Sequence, residues 1–529
     1  MDVVPSPKGI DPVLTQRIPV SLPTWKEATP PPAPGYTSLT STTPILEVFL
    51  GKTLTEGVLS SDVSITEVLD ISGSGVCRVT TNKSDTILAY CKVTHLIDPT
   101  RTLQNYYADP EKGVKRKALK IENPMNQAYV DGLANYLVGQ LRERGISPHF
   151  CQSYGSYKGV ASTYRYNITE DYPSYRNYKS FWERRRKGLF ALYTHEDVDL
   201  STPISSLRST PLTCDSYESN KTHETLDSSI GSCGDVELES MDSFPSGTTN
   251  LTDSTSYDSE YSEDETEVFA EFKDYPVLLI FQERMEGSMD NLLEDGVGVE
   301  AGTPEWEERW TAWTFQVIAA LCCLQGVLGF THNDLHTNNI LWSSTTEEYL
   351  CYAARDGTVW RVPTYGRVFR IIDFGRAIFR VGEQWYVSDD YSRGGDAAGQ
   401  YSLTSFAPNP SFDLCRLAVS LIDMVFPEPP VEVLDGAVLS REEKRRGEWV
   451  VHETESPLWN MLWSWMIDED GYNVLRDEDG TERYPDFDLY RKISANVFGA
   501  KPQEQIRRGL FEKYRVPRES VGKVYPLFC

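Results

Sequence analysis

From about residue 64 the apolar positions alternate with polar ones in two short runs, TEVLDISGSGVCRVTT and DTILAYCKVTHL, separated by glycines and by Asn82-Lys-Ser-Asp. Alternation of period two puts successive side chains on opposite faces of an extended chain, so these runs predict strands of a small antiparallel sheet. The period then changes. In NQAYVDGLANYLVGQLRER, Asn126 to Arg144, apolar residues recur at helical spacing, basic residues fill the last turn and Gly145 follows as a stop, which predicts one helix after the strands. VLLIFQERMEGSMDNLL reads as an apolar strand running into a short helical stretch. TPEWEERWTAWTFQVIAALCCLQGVLGF reads as a long buried helix opened by a Thr cap, a proline at its first position and early acids. EEYLCYAARDGTVWRVPTYGRVF predicts two strands around Asp356-Gly357, a favoured hairpin turn, and everything after about 410 reads as mostly helical, with Trp459, Leu462, Trp463 and Trp465 in its core.

Two stretches lack such patterns. Residues 1 to about 60 are rich in Pro, Ser and Thr, with PPPAP at 30 to 34, and predict a mobile arm with too little apolar area to offset ordering entropy. Between 195 and 267, 18 acidic residues stand against Arg208 and Lys221 amid Ser and Thr, which predicts a disordered acidic insertion. Ser262, followed by Glu-Asp-Glu, is a candidate phosphorylation site within it. That insertion carries more than half of the net charge of -27, so the rest of the chain is closer to neutral. The overall charge repels polyphosphate backbones and removes nucleic acid from the expected partners, while the basic run Arg184 to Lys187 reads as a solvated edge.

The 529 residues, 40% hydrophobic and 12% aromatic, suit a large globular unit with extra segments. Ten cysteines without zinc-type or framework spacing fit a reducing compartment. Neither a membrane helix nor a signal peptide is read from the apolar runs or from MDVVPSPKGI, so an intracellular protein without membrane insertion is expected.

The chemistry concentrates in Thr331-His-Asn-Asp-Leu-His-Thr-Asn-Asn-Ile-Leu-Trp342, directly after the long apolar helix, and in Val368-Phe-Arg-Ile-Ile-Asp-Phe-Gly375. The first resembles the protein-kinase catalytic loop H-R-D-L-x-x-x-N, with Asp334 and Asn339 five residues apart, and the second is a β-rich run ending in D-F-G. Phosphoryl transfer needs an acceptor for the substrate hydroxyl proton and oxygen ligands for Mg²⁺ beside the phosphates; Asp334 suits the first task, Asn339 and Asp373 the second. Ile71-Ser-Gly-Ser-Gly-Val-Cys-Arg-Val79 stands where a glycine-rich phosphate loop belongs, Gly73 and Gly75 matching its first two glycines and Arg78 replacing the third. Ala89-Tyr-Cys-Lys92 matches the strand lysine that holds the α and β phosphates, with Lys120 as competitor. The helix 126 to 144 has no glutamate before Glu143, which leaves Asp131 as the acid for that lysine; Asp413, in Ser411-Phe-Asp-Leu-Cys-Arg-Leu417, reads as a brace for the catalytic loop, together with His332.

ENPMNQAYVDGLANYLV, ISPHFCQSYGS, THNDLHTNNILW, VPTYGRVFRIIDFGRAI, GGDAAGQY, PNPSFDLCRLA and RYPDFDLYRKI resemble blocks of the serine/threonine protein kinases of large cytoplasmic DNA viruses of the iridovirus and marseillevirus kind, over about 64 to 164 and 270 to 515. The resemblance implies an α+β, bilobal protein-kinase-like fold: a small antiparallel sheet lobe at 61–285 interrupted by the insertion, then a larger, mainly helical lobe at 286–529. It further implies ATP and Mg²⁺ as cofactors, a protein substrate, virion or host proteins as partners, and a place in the host cytoplasm or the virion. The departures are specific. Asn333 replaces the Arg of H-R-D, His336 stands where a Lys near the γ-phosphate is usual, and A-P-E is absent. A catalytically silent scaffold and a small-molecule phosphotransferase therefore stay open as alternatives.

Overall fold

The computed structural model describes residues 25–194, 267–292, 297–401, 408–433, 441–445, 448–477 and 480–529. The arm up to residue 24 and the acidic insertion up to residue 266, Ser262 included, lie outside the described residues. The chain divides into two compact units. The first takes its described residues from Met1–Asp98, Tyr107–Ser162 and Pro276–Cys529, and the second from Pro99–Tyr106 and Thr163–Tyr275.

The first unit begins inside the expected arm. Residues 25–60 form β1 (Trp25–Glu27), β2 (Tyr36–Thr40), α1 (Pro44–Leu50) and β3 (Gly57–Leu59), which corrects the reading of residues 1 to 60 as an arm. The physical reason is visible in PILEVFL: Ile45, Leu46 and Phe49 share one helical face and are buried, enough apolar contact to order a Pro- and Thr-rich neighbourhood. Next come β4 (Ile65–Ile71), β5 (Val76–Thr81) and β6 (Thr86–His95), then, after α2 (Pro99–Leu103) of the second unit, α3 (Lys112–Ile121), α4 (Gln127–Glu143) and β7 (Ser153–Asn167), which leaves the first unit after Ser162. The predicted helix is there, with Asn126 as its cap accepting from the Ala128 N–H. The second unit's α5 (Tyr172–Tyr175), α6 (Lys179–Arg186) and β8 (Ala191–Thr194) come next in the chain, followed by β9 (Val268–Glu283), which returns to the first unit from Pro276. The sheet runs in the order β2-β7-β9-β6-β5-β4, with β4·β5, β5·β6 and β6·β9 antiparallel. In β6, Ala89 and Cys91 are buried and Lys92 alternates to the other face, opposite Ile280 of β9.

The rest of this unit is built around α7 (Pro304–Leu328), which follows the short β10 (Gly287–Ser288). Thr303 caps it and Pro304 occupies its first turn, as its sequence predicts. By length and composition this helix could cross a membrane, contrary to the reading of the apolar runs, and every residue of its most apolar window is buried in the protein. A helix enclosed on all sides by protein is apolar all round for the same reason as one enclosed by lipid. Trp310, Trp313 and Phe315 are fully buried in it, and Gln316 clamps the following sheet, donating to the Arg367 carbonyl at 3.1 Å and accepting from the Phe369 N–H at 3.1 Å.

That sheet pairs β11 (Ile340–Ser344) with β10 and with β14 (Arg367–Ile371), in antiparallel register Ile340↔Ile371. Between them the expected hairpin leaves as β12 (Tyr349–Ala353) and β13 (Val359–Pro363). Its turn closes through Gly357 N–H to the Ala354 carbonyl at 3.1 Å, with Gly357 in the left-handed region at φ +87, so the turn is centred one residue earlier than the Asp-Gly pair suggests. Then follow β15 (Ile378–Val381), β16 (Gln384–Val387) and α8 (Phe412–Val425). The expectation of a mostly helical remainder needs amendment: β17 (Glu432–Val433), β18 (Arg441–Arg445) and β19 (Glu448–Thr454) pair there before α9 (Pro457–Trp465), α10 (Asp488–Asn496), α11 (Pro502–Gln505) and β20 (Tyr525–Pro526). Trp459, Leu462 and Trp465 are buried as expected, and Trp463 packs partly buried against the same core.

The second unit has a small aromatic core. Phe181, of α6, lies 5.0 Å from Phe190 and 5.7 Å from Tyr175, and Phe272 lies 4.9 Å from Tyr275. The basic run ends α6, the helix whose Phe181 fills this core.

Candidate active site

The site is built at one end of the β11·β14 ladder. Because Ile340 pairs with Ile371, Asn339 just before β11 and Ile372 just after β14 meet at one end, and the Ile372 N–H donates to the Asn339 carbonyl at 3.0 Å. A residue preceding one strand and a residue following its antiparallel partner are neighbours however long the connection between them, so the hairpin displaces neither.

On the lysine side, Lys92 Nζ lies 2.6 Å from Asp131 Oδ2 and 2.8 Å from Asp373 Oδ1. The Phe374 N–H donates to Asp131 Oδ1 at 3.0 Å, so this one carboxylate joins β6 to the D-F-G segment. The placement of α4 explains how a side chain as short as aspartate reaches the lysine. Asn126 at its cap donates to the Leu96 carbonyl at the end of β6, 2.9 Å, drawing the helix start against the strand that carries the lysine. Burial alone pushes the Lys92 ammonium towards neutrality, but the two carboxylates outweigh it and raise its pKa. Burial raises Asp131 despite Lys92, while at Asp373 the pull of Lys92 overcomes burial and lowers the pKa. Lys120 goes elsewhere, 2.6 Å from Asp389 Oδ2; Asp389 also accepts from Asn123 Nδ2 and the Gln127 N–H, both at 3.0 Å, at the start of α4.

Gly73 and Gly75 lie in the tight turn joining β4 to β5. Gly75 adopts φ +81 and its carbonyl accepts from the Cys91 N–H at 2.8 Å; a Cβ there would stand 2.8 Å from the Tyr90 ring and 2.9 Å from the Cys91 carbonyl, so the position admits only glycine. A Cβ on Gly73 would meet open space. Arg78, in place of a third glycine, pairs with Asp70 across the same hairpin.

On the Asp334 side, Asp413 is buried in the first turn of α8 and its two oxygens accept from the His332 and Asn333 N–H groups, each at 2.9 Å. The His332 ring accepts from the Asp334 N–H at 3.3 Å and donates to the Ile372 carbonyl at 2.8 Å, linking the residue before Asp373 to Asp334. Asn333 and Asp373 both sit in the left-handed region, at φ +63 and +66, a conformation that costs about 1–3 kcal/mol each and survives only when the surroundings impose it. At Asn333 the imposition is explicit: its amide donates to the Thr331 and Arg376 carbonyls and its oxygen accepts from the Tyr401 hydroxyl. The arginine of H-R-D is thus replaced by an uncharged, fully buried strut.

Asn339 Nδ2 donates to the Asp334 carbonyl at 2.9 Å and to His336 Nε2 at 3.1 Å. His336 accepts that bond and its pKa is lowered, first by burial, so it brings no positive charge. Two residues that the sequence reading did not weigh complete the surroundings of Asp334. The Tyr490 hydroxyl, from α10, donates to Asp334 Oδ1 at 2.6 Å and accepts from Arg416 Nε at 3.1 Å. Arg376 Nη1 lies 3.5 Å from Asp334 Oδ2, with Nε 3.7 Å from Asp390. Tyr490 is 156 positions from Asp334 and no spacing points to it; Arg376 directly follows D-F-G, and the missing cations at 333 and 336 were the signal that could have drawn attention to it.

No protein-family model matches this sequence, and no curated protein matches it. Among solved structures the chain is similar to a ROP18 kinase domain in complex with AMP-PNP and sucrose, at 10% identity and a TM-score of 0.28, covering 92% of this chain and 84% of that one. So low a score carries no weight, and the functional reading rests on the residues described above.

Proposed function

We propose that this chain is a serine/threonine protein kinase on a two-lobed kinase-like frame, transferring the γ-phosphoryl group of ATP to protein hydroxyls. The observation that carries the reading is the closed set Lys92–Asp131–Asp373, joined through His332 and Asn339 to the loop of Asp334. That six residues from four separate stretches are linked in this way supports phosphoryl transfer, since a scaffold has no physical need of the convergence.

The roles follow from the chemistry. Lys92, held charged by two carboxylates, binds the α and β phosphates. Asp334 takes the proton of the acceptor hydroxyl as it attacks. The backbone amides around Gly73 and Gly75 approach the phosphates. Asp373 and Asn339 suit Mg²⁺, which binds protein through one or two hard oxygens and leaves the rest of its shell to phosphate and water. The fit at Asn339 is specific: its Nδ2 is committed to Asp334 and His336, and among the described residues its Oδ1 takes no hydrogen bond. Bound there, Mg²⁺ supplies charge neutralisation at the phosphate oxygens.

The test is transfer from radiolabelled ATP to casein or histone by the wild-type chain beside Asp334→Asn. Label in the wild-type reaction alone is expected. Equal label in both rejects the assignment of Asp334, and tight ATP binding without transfer points to the scaffold.

A further inference from the structure

A kinase transition state places negative charge on the oxygens of the migrating phosphoryl group, and the protein meets it with positive charge aimed at that point. In this chain the two usual cationic positions of the catalytic loop hold Asn333, a buried amide strut, and His336, which accepts a hydrogen bond on Nε2. Arg416 is turned to the Tyr490 hydroxyl and Lys92 is held between Asp131 and Asp373. Among the described residues, the cation left facing Asp334 is Arg376.

We propose, on the kinase reading above, that Arg376 is a catalytic residue that binds the transferred phosphoryl group in place of the missing loop cation. The geometry is that of a donor parked beside its target. A hydroxyl bound to Asp334 sits about 3 Å from the carboxylate and its oxygen about 3 Å from the phosphorus it attacks, so the phosphoryl oxygens pass within reach of a guanidinium already 3.5 Å from Oδ2. That separation is long for a charge-assisted hydrogen bond, which leaves the Nη groups able to turn to a stronger acceptor. The side chain is placed for this by its neighbours: Nε faces Asp390 at 3.7 Å, and the guanidinium lies over the Phe487 and Tyr490 rings at 5.9 and 5.8 Å. In the reaction the bond from the acceptor oxygen to the γ-phosphorus forms as the bond from that phosphorus to the β-bridging oxygen breaks. The hydroxyl proton passes to Asp334, ADP leaves with the bond pair, and Arg376 balances the charge on the non-bridging oxygens.

The experiment compares wild type, Arg376→Ala and Arg376→Lys for two quantities: transfer to casein, and the gain in Mg·ADP affinity on adding aluminium fluoride, a mimic of the planar phosphoryl group. Thermal melts confirm that each variant is folded. For Arg376→Ala the proposal expects kcat to fall roughly 100- to 1000-fold with the KM for ATP little changed, and the fluoride-dependent gain to drop at least about tenfold while Mg·ADP alone binds as before. Arg376→Lys, keeping charge without the planar fork, should recover part of both. Undiminished or faster transfer by Arg376→Ala, or an unchanged fluoride gain, overturns the proposal and makes Arg376 a pin on the base. A wild-type chain that binds no Mg·ADP brings down the kinase reading itself, an outcome distinct from wild-type binding that Arg376→Ala leaves intact.

Discussion

The two sides of the site solve the same electrostatic problem differently. On the lysine side, one ammonium is shared by Asp131 and Asp373, and all three residues stand in recognisable segments: strand, helix, D-F-G. On the base side, none of the cations expected within the loop is present, and Asp334 is held by Tyr490 and approached by Arg376 from outside it. The first arrangement hinges on the single ammonium, because removing Lys92 leaves two carboxylates facing each other with no cation between them. The second is fixed by hydrogen-bond direction: Arg416 donates to the Tyr490 oxygen, so the phenolic proton has to point to Asp334. The lesson is that the lysine side tolerates little substitution, whereas the base side reaches its charge balance with residues recruited from elsewhere in the fold.

The largest expected effect breaks the first arrangement. Lys92→Met leaves Asp131 and Asp373 facing each other, and should lower kcat/KM by roughly 1000-fold or more and destabilise the fold by about 3–5 kcal/mol near neutral pH. Urea titrations at pH 7 and pH 5 check the cause: the destabilisation should shrink at the lower pH, where Asp131, already raised by burial, takes up a proton. A pH-independent loss would remove charge as its origin.

Next in size is the group behind Arg376. Burial, reinforced by Asp396, raises Asp390 to about 6 against the pulls of Arg376 and Lys120. In the unfolded chain an aspartate titrates near about 4, so the native state holds this proton more tightly; the resulting stability is complete below about pH 4 and lost as the pH rises through about 6. The amount is about 3 kcal/mol, from two pK units at about 1.4 kcal/mol each. Urea midpoints of wild type and Asp390→Asn over pH 4 to 7 should converge at one end and separate at the other. Parallel curves would show that Asp390 does not titrate there.

Much of this was legible in the sequence where function and secondary structure coincide locally. The Asp334–Asn339 spacing, the D-F-G following β14, the Asp356-Gly357 hairpin and the helix bearing Asp131 each rest on a short-range pattern. The choice of Lys92 over Lys120 was weighed on strand context, and it is Lys92 that meets Asp131 and Asp373. What escaped is long-range. Tyr490 reaches Asp334 only because α10 packs on α8, and no periodicity encodes that meeting. Residues 25–60 were misread because Pro and Thr content outweighed three apolar residues on one face of α1.

Tyr490→Phe sharpens the base side at smaller cost. It removes one hydrogen bond to a charged acceptor and no packing, so kcat should fall about tenfold with the KM for ATP unchanged. Steady-state kinetics at saturating acceptor decide it, and an unaltered kcat would reduce Tyr490 to a packing residue.

The smallest effect is expected at Lys120, the rejected counterpart of Lys92. Its ammonium meets Asp389 at 2.6 Å, much as Lys92 meets Asp131, yet Asp389 also accepts from Asn123 and the Gln127 N–H and lies at the start of α4, where an exposed donor and the helix dipole favour negative charge. Lys120→Met therefore leaves Asp389 with two donors and no facing carboxylate, whereas Asp131 in Lys92→Met keeps the Phe374 N–H alone and faces Asp373. The expected cost is about 1 kcal/mol in urea titrations, with transfer from ATP within about twofold of wild type. If Lys120→Met abolished transfer as Lys92→Met should, the phosphates would belong to Lys120, and the meeting of Lys92 with Asp373 would be a resting contact outside the reaction.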